Sequence, residues 1–255
     1  MDLGLSGRRY LVGGGSRGLG AAIAETLVAE GARVAIMARQ SAELDATAAR
    51  IGATALPVDL SQPDGPHTVV GEALGALGGL DGVLVNSGGP PLGTFETVDE
   101  GAWARAIDGT LLSTIRLIRA GLEPLRQAPD PAILIILSSS VREPVQGIVT
   151  SNVLRPGLAG LIKSLVTEIA PIRINGIAPG RIDTDRVRAL DRMRSTETGL
   201  SIDEIQAQTR ARIPLARYGE PPEVGRVGAF LLSPAASYIN GAIIPVDGGM
   251  IRSLP

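Results

Sequence analysis

The 255-residue chain contains no cysteine and a single histidine, His67. Disulfides, thiolate nucleophiles and histidine-rich metal sites are thereby excluded, leaving carboxylate-only metal sites and metal-free chemistry, and no metal ligand is assigned. Aromatic residues make up 2% of the chain, too few to build stacking platforms for bases or sugars. Long apolar runs are missing too. The longest, residues 132–137, is far shorter than the roughly 20 residues of a membrane helix, and the first ten residues carry Asp2, Arg8 and Arg9 in place of the apolar run of a secretory signal. Nor is there an excess of one charge: the formal net charge is −2 and no window collects like charges, so nothing points to nucleic acid or another electrostatic partner. Lysine is reduced to Lys163 against 23 arginines, a compositional bias without functional weight. These absences describe a soluble, cytoplasmic protein that acts on a small molecule, with no nucleic-acid or membrane partner.

What is present is apolar material, 44% of residues with a mean hydropathy of +0.23, enough for a sizeable core. Short β-branched runs at 10–12, 33–37, 53–58, 82–85, 133–137, 173–177 and 242–246 alternate with helical periodicity at 19–30, 42–51, 68–77, 103–125, 158–169 and 223–232. Strand and helix in alternation predict an α/β fold, a single doubly wound (Rossmann-type) parallel sheet of about seven strands with helices on both faces. No linker or repeat divides residues 1–255, which read as one dinucleotide-binding domain. One long insertion, at about 181–218, follows the sixth strand, where crevice loops form ligand sites. It is a candidate substrate lid. Its arginines 181, 186, 188, 192, 194, 210, 212 and 217 are nearly offset by acids at 183, 185, 191, 197, 203 and 204. That balance favours a solvated amphipathic lid over an anion-binding surface.

Directly after the first strand stands Gly13-Gly14-Gly15-Ser16-Arg17-Gly18-Leu19-Gly20, opening a helix. Glycines let backbone turn tightly and approach a pyrophosphate, and the helix start offers it free N–H groups and a positive dipole end. Strand before and helix after make Gly14, Ser16, Arg17, Gly18, Leu19 and Gly20 a dinucleotide cradle. The second strand ends Met37-Ala38-Arg39, placing Arg39 nineteen residues beyond Gly20, where an acidic residue would bond a ribose 2′-hydroxyl. Arg39 with Arg17 suits a 2′-phosphate instead, because guanidinium makes charge-assisted bonds to phosphate oxygens. NADP(H) is therefore favoured over NAD(H).

Further motifs agree with this loop: Asp59 after the third strand, Asn86-Ser87-Gly88-Gly89 after the fourth, Ser138 ending the fifth, Pro179-Gly180-x-x-x-Thr184 after the sixth, and the tail Pro245-Val246-Asp247-Gly248-Gly249. Together they resemble the short-chain dehydrogenase/reductase family over essentially the whole chain, most nearly its 3-oxoacyl-carrier-protein-reductase-like members. The resemblance implies that Asp59, with Leu60, lies at the adenine, that Asn86 and Gly88 support the cofactor, and that Pro179, Gly180, Ile182 and Thr184 hold the nicotinamide end. Gly13 stands where the family usually has threonine. The helices at 103–125 and 158–169 resemble those that form subunit contacts in the family, which implies a homo-oligomer, dimer or tetramer.

The family is similar in using Asn, Ser, Tyr and Lys for catalysis, with Tyr-x-x-x-Lys on one helix face. Here the pair is missing. Thirteen residues beyond Ser138 stands Ser151, four further stands Arg155, and the asparagine position is Thr110. Of the four positions Ser138 alone is retained, with Ser139 and Ser140 as alternatives for it. A phenol of pKa about 10 is tunable toward neutrality, whereas a serine hydroxyl is a poor acid and arginine holds its proton. Arg155 keeps a positive charge for the nicotinamide ribose, and Pro156 beside it should loosen the first turn of its helix. Glu143 and Asp183, expected near the crevice, are the carboxyls available as substitute proton donors. Two functions follow. One is an NADP(H)-dependent oxidoreductase acting on a carbonyl or hydroxyl substrate, such as a 3-oxoacyl thioester, through Ser138, Ser151, Arg155 and Thr110. The other is a cofactor-binding, catalytically silent regulatory or assembly protein.

Overall fold

The computed structural model describes residues 2–253. Seven strands form one parallel sheet: β1 (Arg9–Gly13), β2 (Arg33–Ala38), β3 (Thr54–Pro57), β4 (Gly82–Val85), β5 (Ala132–Ile136), β6 (Arg173–Pro179) and β7 (Ile243–Val246). Their order is β3-β2-β1-β4-β5-β6-β7. Strands covered on both faces need no polar alternation, and every residue of β4 and β5 is buried.

Two apolar layers clamp the sheet. On one face Ile23 and Leu27 of α1 (Gly18–Ala29), Leu44 of α2 (Ala42–Ile51) and Leu231 of α9 (Pro221–Leu232) share a core with Val12 and Ile36. On the other, Val69 of α3 (Gly65–Leu77), Leu117 of α5 (Ser113–Arg126) and Leu158 of α6 (Val149–Glu168) meet Val83 and Ile135. Local chemistry sets the ends. Ser41 caps α2 by accepting the Leu44 amide at 3.2 Å, and Gly52, at φ 74°, ends it in the left-handed region. Buried Arg173, at the start of β6, donates to the carbonyls of Leu231 and Ser233, both at 2.9 Å, placing a cation at the negative end of α9.

Two helices depart from the periodicity. Residues 103–125 are not one helix: α4 (Glu100–Ala106) gives way to a π-helical turn, Ile107–Leu112, before α5 begins. Apolar spacing runs through this segment unbroken, so only the change of hydrogen-bond partner marks the turn. The second departure is α6, which starts at Val149, nine residues ahead of 158. Pro156 therefore lies in its third turn and not its first, leaving the Asn152 carbonyl without an amide four residues on. Asn152 ties the helix to the preceding loop, its side chain bonding the Val145 N–H at 3.1 Å and carbonyl at 2.8 Å. Segment 181–218 contains α7 (Asp185–Thr198) and α8 (Ile202–Ala211), the latter opened by a Ser201/Glu204 capping box. Among the described residues no helix is long and apolar enough to cross a membrane.

At the edge of the sheet opposite the strand carboxyl ends, Asp81 is 4% exposed and accepts the Arg9 amide at 2.9 Å and the Arg9 guanidinium at 2.7 and 3.1 Å. Burial raises the pKa of this carboxyl, but the bonds from Arg9 outweigh it and hold it below its ordinary value. A carboxyl depressed on folding contributes stability above its unfolded pKa and loses that contribution as pH falls through the folded value. Asp81→Asn should therefore cost about 2 kcal/mol at neutral pH and flatten the acid limb of the stability curve, as read by urea denaturation across pH.

Candidate active site

The carboxyl ends of β1, β4, β5 and β6 open into a cleft of about 1330 Å³. Its floor is bare backbone. Gly14, at φ 60°, lies so near β4 that a Cβ would stand 2.6 Å from Asn86 Nδ2 and 2.8 Å from Asn86 O. A Cβ on Gly20 would run into the Gly13 and Gly14 carbonyl oxygens. The glycine loop thus folds back on α1 at a distance no side chain permits. No side chain caps the start of α1 and its first turn carries no acid, so its amides and dipole face the cleft free for an anion.

At one end of the cleft lie Arg39, Asp59 and Leu60. Asp59 accepts the Ser61 hydroxyl at 2.7 Å and the Ser61 amide at 2.9 Å. Those bonds hold its pKa low, with the charge of Arg39 a smaller contribution. Arg39 is exposed, without an ion pair among the described residues. Arg17 is also exposed, 3.3 Å from Asp185 and 3.9 Å from Glu43.

At the other end stand Ser138, Ser151 and Arg155. Ser138 follows β5 in extended conformation and accepts the Ser140 amide at 3.1 Å, which leaves its proton free to donate into the cleft. Ser139 also lines the cleft, whereas Ser140 is buried behind it with its Oγ unpartnered. Ser151 and Arg155 lie one turn apart on α6 and are 5% and 6% exposed. Arg155 Nη1 donates to the Ile136 carbonyl at the end of β5, while its Nε has no partner. Burial, then the nearby charge of Arg186, pushes the Arg155 pKa down to about 10. Its cation therefore persists at neutral pH in a place where it is costly to hold.

Asn86, Gly88, Pro179, Gly180, Ile182 and Thr184 all line the wall between these ends, with Ser16, Gly18 and Leu19. Gly20 supports the loop from behind. Thr110 is 1% exposed within the π-helical turn, its carbonyl accepting the Thr114 hydroxyl at 2.7 Å, and its neighbour Gly109 is the residue that meets the cleft. Glu143 lines the mouth. Asp183, expected at the crevice, lies outside it in an exposed pair with Arg188 at 2.8 Å. His67 is exposed on α3. Reasoning from sequence did not single out Arg186. It lines the cleft two residues past Thr184, and burial lowers its pKa. The one available signal was its spacing from the Pro-Gly-x-x-x-Thr segment.

Residues 14–251 match the family model described as enoyl-(acyl carrier protein) reductase. The chain belongs to the short-chain dehydrogenase/reductase family. It is 30% identical to a 3-oxoacyl-[acyl-carrier-protein] reductase of Vibrio cholerae over 96% of this chain and 98% of that one. Among solved structures it is similar to an L-sorbose reductase from Gluconobacter frateurii complexed with NADPH and L-sorbose, with a TM-score of 0.93, 28% identity and full coverage (100%) of both chains. It is also similar to an NADPH-bound short chain oxidoreductase from Pseudomonas aeruginosa described as containing an atypical catalytic center, with a TM-score of 0.87, 28% identity, and 98% of this chain and 99% of that one covered. It is thus an oxidoreductase of the short-chain type, on the fold its sequence motifs imply.

A guanidinium buried without a counter-ion weakens the ligand-free protein, and an apolar side chain of like length removes that cost. Arg155→Met should leave the calorimetric melting temperature of the ligand-free protein unchanged or raised by up to about 4 °C. A drop larger than that would show that the bond to Ile136 matters more to the fold than the desolvated charge.

Proposed function

We propose that the protein is an NADP(H)-dependent oxidoreductase that interconverts a carbonyl and a hydroxyl group at a site built from Ser138, Ser151 and Arg155. The observation that carries this reading is one continuous cleft from Arg39, past the glycine loop, to Arg155. Its parts fit the cofactor: the Gly14 and Gly20 cradle leaves backbone bare where a pyrophosphate would lie, and the buried Arg155 Nε lacks an acceptor that a ribose hydroxyl would supply. The amides of the loop and of α1 take the pyrophosphate, Arg39 with Arg17 the 2′-phosphate, and Asp59 with Leu60 the adenine. Asn86, Gly88 and the segment from Pro179 to Thr184 support the nicotinamide half. Segment 181–218 serves as the substrate lid of a single domain. The exposure of Val153 on α6, 57%, supports pairing of α5 and α6 with a second copy.

Bound NADP(H) supplies or accepts the hydride. Ser138 donates its free proton to the substrate oxygen and is made a better donor by accepting the Ser140 amide. Ser151 offers a second hydroxyl from the facing helix. In the direction of reduction the substrate oxygen gains negative charge and then a proton. A serine hydroxyl is too weak an acid to surrender that proton outright, so Ser151 passes on one received from water at the cleft mouth. Arg155 stabilises the negative oxygen until the proton arrives. Lack of a tuned acid lowers turnover by about 10²- to 10⁴-fold, while positioning of the reactants survives.

Fluorescence titration should show NADPH bound more tightly than NADH. Arg39→Ser should weaken NADPH by about 10- to 100-fold, the worth of a charge-assisted bond, and leave NADH nearly unchanged. With enzyme at the concentration of NADPH, 3-oxoacyl thioesters and small ketones should oxidise the cofactor faster than with Gly18→Trp, and Ser138→Ala should slow that rate by about 10²-fold. Cofactor binding with turnover equal to the Gly18→Trp control would instead identify a silent, cofactor-binding member of the family.

A further inference from the structure

The charges of segment 181–218, nearly balanced along the sequence, are separated in space. Its three carboxylates nearest Arg186 in sequence are engaged by other partners. Asp183 pairs with Arg188 at 2.8 Å, Asp185 lies 3.3 Å from Arg17, and the fully buried Asp191 is 3.6 Å from Arg181 and accepts the Tyr218 hydroxyl at 3.0 Å. Arg186 has no carboxylate within ion-pair distance among the described residues. Its guanidinium lies across the bare backbone of Gly89, where an added Cβ would stand 2.8 Å from both its Cζ and its Nε. That places it on the wall of the cleft that Arg155 also lines, and its charge adds to burial in lowering the Arg155 pKa. Arg155 is 6% exposed, and a neutral ribose hydroxyl accepting from its Nε would satisfy that donor without balancing its charge. A buried cation and a half-buried one lining the same cleft, neither with a carboxylate in ion-pair distance among the described residues, favour an anion as the group that enters there. The phosphates of the cofactor have their own donors at the glycine loop, the start of α1, Arg17 and Arg39. The uncompensated charge is at the end of the cleft that holds Ser138 and Ser151.

We propose that the substrate carries an anionic oxygen group, a carboxylate or a phosphate ester, a few bonds from its reacting carbonyl, and that Arg186 beside Arg155 receives that group. This rests on the oxidoreductase reading. Because Arg155 already donates to Ile136, Arg186 is the free arm of the pair and the residue that distinguishes an anionic substrate from its neutral counterpart. Guanidinium binds either oxyanion in the same forked geometry, so the source of the anion is left to the choice of probe.

The test uses matched pairs on the NADPH-loaded protein: acetoacetate against its methyl ester, and dihydroxyacetone phosphate against dihydroxyacetone, with binding read by calorimetry and turnover by NADPH oxidation. The anionic member of one pair should be preferred by about tenfold or more, and which pair responds tells carboxylate from phosphate. Arg186→Gln should abolish the preference, Arg186→Lys should restore part of it, and neither should shift NADPH affinity appreciably. Equal binding of charged and neutral members, or binding of none at millimolar concentration, would overturn the proposal. So would an Arg186→Gln variant that loses NADPH affinity as much as anion affinity, since Arg186 would then be a cofactor residue. If NADPH itself fails to bind, the oxidoreductase reading falls first. The calorimetric pairs are then run on the cofactor-free protein, where an Arg186-dependent anion preference supports the inference and its absence overturns it.

Discussion

From β1 the chain lays down β2 and β3 to one side and then returns to place β4 through β7 on the other. The helices that follow β1 and β4 consequently cover opposite faces of the sheet, and their connecting loops diverge. A crevice is left at the carboxyl ends of the two central strands that neither helical layer fills. Every feature of the site depends on that gap. It can be shallow and backbone-lined only because Gly14 and Gly20 allow the β1–α1 turn to press on Asn86 and on itself. Any side chain there would fill the space the gap creates.

The second constraint is electrostatic. α6 brings Arg155 against the end of β5, where the Ile136 carbonyl accepts a hydrogen bond from Nη1 and nothing accepts from Nε. A lysine amine in such a place titrates readily and can carry a proton, whereas guanidinium retains its charge even with a depressed pKa. The position therefore acts as a fixed cation. Ser138 and Ser151 add hydroxyls, and among the described residues no histidine, tyrosine or lysine lines the cleft. A fixed charge and fixed dipoles of this kind can orient a bound group and stabilise developing charge through a static field.

Much of this was legible from local signals. Strands buried on both faces need unbroken β-branched runs, and residues 133–137 or 82–85 show them with little competition from another reading. The glycine loop was legible for the same reason: its chemistry lies in consecutive residues. Two features were not. The π-helical turn at Ile107–Leu112 buries Thr110 while its apolar residues Ile107, Leu111 and Leu112 stay partly or largely exposed, so apolar spacing reads through it without marking the altered bonding. The early turns of α6 look unlike a core helix because they hold buried polar groups: Thr150, which donates to the Pro91 carbonyl at 3.0 Å, and Ser151 and Arg155, which line the cleft. Polar residues at buried positions are a property of the site, and a periodicity that seeks apolar faces passes over them.

Arg186 shows the limit of counting charge along a chain. Eight arginines against six acids read as a solvated surface while their partners are unknown. Folding decides the partners. The N-terminal turn of α7 sends Asp185 toward Arg17 and Arg188 and sends Arg186 toward Gly89, so adjacent residues of opposite sign serve different surfaces. Net charge is conserved in that sorting, but the field inside the cleft is not. Arg155 and Arg186 both line the cleft with no carboxylate in ion-pair distance among the described residues, although the segment that carries Arg186 is nearly neutral. The same sorting puts guanidinium groups and hydroxyls on the walls of one cleft, where a fixed charge can hold an anion and a hydroxyl can orient it.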